Sequence, residues 1–156
     1  MLAAMLITAC ASGSMPAASD RLVEQARGFS PPPGHAGVYM IRHARRLADQ
    51  PLWTVDLDFR GFGTVGSESY LYGGVRPGEH VVAVLHDGQV QGRTRFRAEA
   101  GRNYFFVVKA DLLTLHVERL ADGTGRDLVQ RYTPSGDNRF EDAPEATRGG
   151  RAAGSP

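Results

Sequence analysis

The chain has 156 residues, a formal net charge of +1 and a single cysteine. That length holds one domain, and near-neutrality argues against a nucleic-acid binder, which asks for a strongly basic domain. One thiol excludes an intramolecular disulfide, while 19 glycines and 9 prolines suit many turns between short strands.

Residues 1–9 are almost wholly apolar and run into Ile7-Thr8-Ala9-Cys10. This resembles a bacterial lipobox: an aliphatic residue, two small residues, then a cysteine that carries a diacylglycerol once the peptide before it is removed. The resemblance implies a signal peptide over 1–9 and lipidation of Cys10. One acyl chain gives only marginal attachment, at about 0.8 kcal/mol per buried CH₂, so several chains on one cysteine would meet the need for a firm anchor. Nine residues are too few to span a bilayer, which takes about 20. The stretch is also short for a signal peptide and lacks a basic n-region, so the true start is expected upstream. By resemblance to the sorting rule of Gram-negative lipoproteins, Ala11 in place of aspartate points to the outer membrane. The alternative is an accidental motif, with Met15 as initiator of a soluble cytosolic interaction domain.

Residues 10–35 read as a tether. Ser30-Pro31-Pro32-Pro33-Gly34 favours extended polyproline backbone. Within it, Ser19 to Arg27 has the signature of a brief helix, with Ser19 as N-cap and Asp20 in the first turn. It is too short to be stable alone.

Gly37 to His43 reads as the first strand and Leu52 to Phe59 as the second. In the latter, Trp53, Val55, Leu57 and Phe59 share one face, and Thr54, Asp56 and Asp58 the other. Gly61 to Gly66 is expected to turn the chain into its central feature, Tyr70 to Leu85. That stretch reads as a hairpin closed at Arg76-Pro77-Gly78-Glu79, since proline presets φ at one turn position and glycine supplies positive φ at the next. Its second strand is apolar on both faces, as a doubly covered strand is. Arg93 to Ala98 alternates arginine with Thr94, Phe96 and Ala98. Tyr104 to Val108 is apolar throughout, and Leu113, Leu115 and Val117 alternate with Thr114, His116 and Glu118, giving an outer strand. Asp122-Gly123 is expected to turn, and Leu128 to Tyr132 to add an edge strand. Seven or eight short strands at regular spacing predict an all-β, antiparallel sandwich over 36–133. Residues 134–156 carry little apolar surface to offset roughly 1–2 kcal/mol of backbone entropy per residue, so they read as a disordered tail.

With the strands placed, Gly37–Arg42 (G-V-Y-M-I-R), Val55–Gly61, Ser69–Leu71, Val75–His80 (V-R-P-G-E-H) and Ala98–Phe106 form a series. It resembles a bacterial envelope lipoprotein family built on a domain of unknown function. In its Pro77-Gly78-Glu79-His80 segment it is similar to PEGA-type modules. The compact Val-Asp-Gly turn of that pattern is stretched here into Asp56 to Gly61. The resemblance implies an immunoglobulin-like sandwich on a lipid anchor and implies no activity.

Candidate chemistry is sparse. Gly61-Phe62-Gly63-Thr64-Val65-Gly66 is a literal G-x-G-x-x-G, yet no helix follows to face a pyrophosphate, so it reads as a turn. His80 and His86 lie about 20 Å apart along a strand and cannot share a metal; no metal or other cofactor is expected. Asp56 and Asp58, about 7 Å apart on one strand face, have the spacing of an inverting glycosidase pair. They carry the alternative reading of a small periplasmic hydrolase. The aromatics Trp53, Tyr70, Tyr72, Tyr104, Phe105 and Phe106 fit core packing better than a sugar platform. The clearest surface feature is Arg93, Arg95 and Arg97, three guanidiniums in a row about 7 Å apart. Arginine forks match carboxylates and phosphates, so the row is a candidate anion-binding site, with pairing to Glu118 or Asp111 as the plainer role. Arg42-His43-Ala44-Arg45-Arg46 would extend it. The expectation is a non-enzymatic, lipid-anchored envelope protein facing the periplasm, whose partners are the membrane and an envelope protein or anionic cell-wall polymer.

Overall fold

The computed structural model of the chain describes residues 17–43, 52–110 and 115–138. Along them run α1 (Asp20–Gly28), β1 (Ala36–Arg42), β2 (Trp53–Leu57), β3 (Arg60–Val65), β4 (Ser69–Val75) and β5 (Gly78–His86). Then follow β6 (Gln89–Ala98), β7 (Asn103–Ala110), β8 (Leu115–Arg119), α2 (Asp122–Arg131) and β9 (Thr133–Pro134). The strands form two sheets, ordered β8-β7-β1-β4-β9 and β3-β2-β5-β6. Packed face to face, they make a β-sandwich.

Alternation along the strands sorts side chains into two cores. Val38 and Met40 of β1 face inward with Val55, Leu57, Val82 and Val84. Tyr39 and Ile41 face outward, where α1 and α2 cover them with Leu22, Ala26, Leu128 and Val129. All of β1 is therefore buried. Neighbouring side chains of β7 split in the same way, Phe105 toward the helices and Phe106 toward the other sheet.

The sandwich is mixed, and the expectation of a purely antiparallel one is corrected. β1 pairs in parallel with β7, and β4 with β9. The cause is the short link between β6 and β7. β6 ends opposite Gly78, at the end of the sandwich where β1 also begins, and four residues later β7 starts beside Gly37. So short a connection leaves no chain for a return, and β7 must run with β1.

The expected central hairpin is not one. β4 pairs with β1 in the five-stranded sheet, whereas β5 pairs with β2 and β6 in the other. Arg76-Pro77 carries the chain across the sandwich. Turn chemistry bends the backbone, but it does not decide whether the flanking strands pair with each other. Gly61 to Gly66 is likewise not a turn; it lies mostly within β3.

The fold takes in parts of both presumed ends. Ser19 caps α1 as expected, its Oγ accepting from the Leu22 amide at 3.3 Å. Leu22 and Ala26 are buried against the sheet; full burial of one leucine contributes roughly 1.5–3 kcal/mol, which holds a helix too short to stand alone. The tether boundary at 35 thus falls inside the domain, because Ala17 already bridges Ser135. Leu128 to Tyr132 is not an edge strand: Asp122–Arg131 is helical and buries Leu128, Val129 and Gly125. Beyond 133, Ser135 donates its amide to the Tyr70 carbonyl at 2.7 Å, and Asn138 donates its side-chain amide to the Tyr72 carbonyl. The tail boundary at 134 is therefore too early, and residues 139–156 lie outside the described ones.

Candidate binding face

The arginine row is built by β6. Arg93, Arg95 and Arg97 are exposed, while Phe96 and Ala98 between and beside them are buried. Across the ladder they face Ala83, Val81 and Glu79 of β5. Two of those neighbours are small or apolar and only one is acidic. Arg97 approaches Glu79 at 3.8 Å with both side chains more than two-thirds exposed, a pair that adds little in solvent. Arg93 and Arg95 make no ion pair within the described residues. Glu118, the expected acid, lies on the opposite sheet and pairs with Lys109; Asp111 lies outside the described residues. The row is thus displayed rather than neutralised.

Of the stretch that could extend it, only Arg42 and His43 lie within the described residues, and Arg42 does not join the row. Arg42 is 2% exposed, stacks on Trp53 with its guanidinium carbon 3.7 Å from the ring centroid, and donates to the Val65 carbonyl at 3.3 Å. Burial pulls its pKa below the ordinary arginine value. Arg42 therefore braces the inner core, and Arg45, Arg46 and the lipidation candidate Cys10 lie outside the described residues.

Asp56 and Asp58 do not form a carboxylate pair. Asp56 stays in β2 opposite Ala83. Asp58 leaves the strand with φ 53°, followed by Phe59 with φ 63°. These two make the two-residue loop between β2 and β3, of the type that demands positive φ at both positions. The Asp58 carboxylate is fully engaged. Oδ1 accepts from the Val81 amide at 2.9 Å, and Oδ2 lies 2.6 Å from His80 Nδ1. The other imidazole nitrogen lies 2.7 Å from the Arg76 carbonyl. Both ring nitrogens of His80 are thus engaged within the fold. Asp58–His80–Arg76 is a clamp that ties the β2–β3 loop to the sheet crossover.

That loop was hidden from the alternation pattern. Phe59 falls in phase with the buried Leu57 in the sequence, yet it is 79% exposed. The aspartate at the first loop position was the available signal, since Asp tolerates left-handed backbone. The remaining aromatics do pack as core. Trp53, Tyr104 and Phe106 lie between the sheets, and Tyr70, Tyr72 and Phe105 lie beneath the helices around Tyr39. Tyr39 stacks on Phe105 at 4.6 Å and donates to the Ala26 carbonyl at 2.7 Å. Burial raises the pKa of Tyr39, Tyr70 and Tyr72, with the neighbouring tyrosines adding to the rise at Tyr39 and Arg27 opposing it at Tyr70.

The middle glycine of the G-x-G-x-x-G, Gly63, has a packing explanation. A Cβ on Gly63 would sit 2.0 Å from the Asp137 carbonyl oxygen. The segment 135–138 crosses β3 there, with Ser135 donating to the Thr64 carbonyl at 2.7 Å and Thr64 to Asp137 Oδ2 at 2.7 Å. Among the described residues no helix is long and apolar enough to cross a membrane. Compared with known proteins, the chain matches no family model and no curated sequence.

Proposed function

We propose that this chain is a bacterial envelope lipoprotein. Cys10 anchors it to the outer membrane through acyl chains, and its sandwich faces the periplasm as a non-catalytic binding or structural module. The partner is an envelope protein or an anionic cell-wall polymer. The observation that carries this reading is the row Arg93, Arg95 and Arg97, exposed on one sheet face with a single, widely spaced acid opposite it. Guanidiniums at about 7 Å intervals suit repeated carboxylates or phosphates along a polymer. Kinship with the lipoprotein family and its PEGA-like segment, and the immunoglobulin-like character of the sandwich, belong to the same proposal. Their support is the motif series from Gly37 to Phe106 and the packing of two sheets; the parallel β1–β7 pair is the feature that kinship has to accommodate.

Two measurements test it. The protein, expressed from its native gene in a bacterial host, should sediment with membranes, and Cys10→Ser should release it. Retention on purified anionic cell-wall polymer should fall at least tenfold in Arg93→Glu with Arg95→Glu. A wild-type protein that stays in the cytosol overturns the anchor. Unchanged retention of the double variant overturns the binding face.

A further inference from the structure

The loop at the end of the sandwich displays an aromatic side chain under conditions that ordinarily select against one. Phe59 occupies a position where positive φ favours glycine, and the ring is 79% exposed with no packing to offset the strain. Its backbone is held in place. Asp58 donates its amide to the Val81 carbonyl at 2.8 Å, accepts the Val81 amide in return, and is locked by His80 to the Arg76 carbonyl. The clamp brings two exposed cations to the same end, Arg60 beside Phe59 and Arg76 on the crossover. Neither makes an ion pair within the described residues. Asp58 is paired with His80 and Glu99 with Arg102, while Glu79 lies 3.8 Å from Arg97 with both side chains exposed, so neither charge is held firmly there. The tip therefore presents an exposed apolar ring with one exposed arginine next to it in sequence and another on the crossover that the clamp ties to the loop.

We infer that this tip is a membrane-contact site, in which Phe59 enters the headgroup–acyl boundary while Arg60 and Arg76 engage the phosphates of an anionic lipid surface. A ring this exposed suits insertion, and among the described residues it makes no ring contact of the kind a flat sugar-stacking platform would need. Arginines at that depth are drawn to anionic headgroups, and a partly buried ring adds an apolar contribution. The site is distinct from the arginine row, whose side chains stand off the sheet face rather than off its end.

The inference rests on the anchored reading in one respect: which bilayer is met. Ala17, beside Ser135, lies near Tyr70, about five strand residues or 17 Å from the tip. The seven residues from Cys10 to Ala17 reach at most about 25 Å. An acylated Cys10 and Phe59 can therefore meet the same membrane, and the tip would be a second attachment that orients the domain.

The test uses the full chain carrying Cys10→Ser, so that no acyl chain contributes. Sedimentation with vesicles of phosphatidylglycerol and phosphatidylcholine should show binding that weakens with salt and is absent from pure phosphatidylcholine vesicles. Phe59→Ser and the pair Arg60→Gln with Arg76→Gln should each lower binding at least about tenfold with circular dichroism unchanged. Phe59→Trp should show a blue-shifted emission on anionic vesicles, above the background of buried Trp53. No vesicle binding, or binding unaltered in Phe59→Ser, overturns the inference, including when the protein is instead retained by cell-wall polymer. Fractionation of wild type against Cys10→Ser reports separately on the anchor.

Discussion

Gly63→Ala should detach the C-terminal segment from the sandwich. The added methyl would lie 2.0 Å from the Asp137 carbonyl oxygen and 2.7 Å from Leu71 Cδ2, so the crossing backbone must move. Its displacement breaks three bonds: the Thr64 amide to Asp137 at 3.3 Å, Thr64 Oγ1 to the Asp137 carboxylate at 2.7 Å, and Ser135 Oγ to the Thr64 carbonyl at 2.7 Å. At about 1 kcal/mol net for each, that is about 3 kcal/mol. Gly63 also has φ 148°, where a side chain adds roughly 1–3 kcal/mol of strain. Partial relaxation of the segment lowers the sum, so the expected cost is about 3–5 kcal/mol. Urea denaturation should show it as a lower midpoint with an unchanged slope, and heating as a fall in Tm of more than about 10 °C. Hydrogen exchange locates the damage. The Ser135 amide, bonded to the Tyr70 carbonyl at 2.7 Å, should lose protection while β7 amides keep theirs relative to global stability. A cost below about 1 kcal/mol, or an unchanged Ser135 amide, would refute the claim that the glycine is there for the crossing chain.

Two further outcomes follow from the site and the helix-covered core. Phe59→Gly relieves left-handed strain of about 1–2 kcal/mol and adds about 0.5–1 kcal/mol of glycine entropy, so the chain should gain up to about 1 kcal/mol in denaturant; a loss of more than that would mean the ring packs on the fold and is not free to enter a membrane. Tyr39, Tyr70 and Tyr72 have folded pKa values raised by burial, so the native state holds their protons more tightly. Stability from this source is full below the unfolded value of about 10 and is lost as pH rises toward the folded values. Their tyrosinate absorbance should appear together with the loss of far-ultraviolet circular dichroism; reversible ionisation with the fold intact would contradict their burial.

Much of this molecule was legible without tertiary information, because alternation is a local property. The alternating faces of β2 as far as Leu57 and of β6, the Ser19 cap and the outward arginine row follow from period-two patterning and from the short reach of a serine hydroxyl. What escaped depends on partners distant in sequence. Arg76-Pro77-Gly78 bends the chain in either of two topologies, and only β1 and β2 competing for β4 and β5 decide between them. Leu128 to Tyr132 carries an apolar cluster that suits a strand edge, and Gly123 and Gly125 argue against a helix. The helix forms because Gly125 lets the backbone lie against the Phe105 ring, where a Cβ would approach within 2.2 Å. Phe59 kept the phase of its strand, but Val81 and His80 hold Asp58 in a loop and turn the ring out to solvent. The sequence by itself determined the extended runs that became β1, β2, β4, β5, β6, β7 and β8, since alternation and apolar runs are settled by near neighbours. Tertiary structure alone decided which edges meet, which glycine is crossed by backbone, and that the Phe59 ring stands out in solvent.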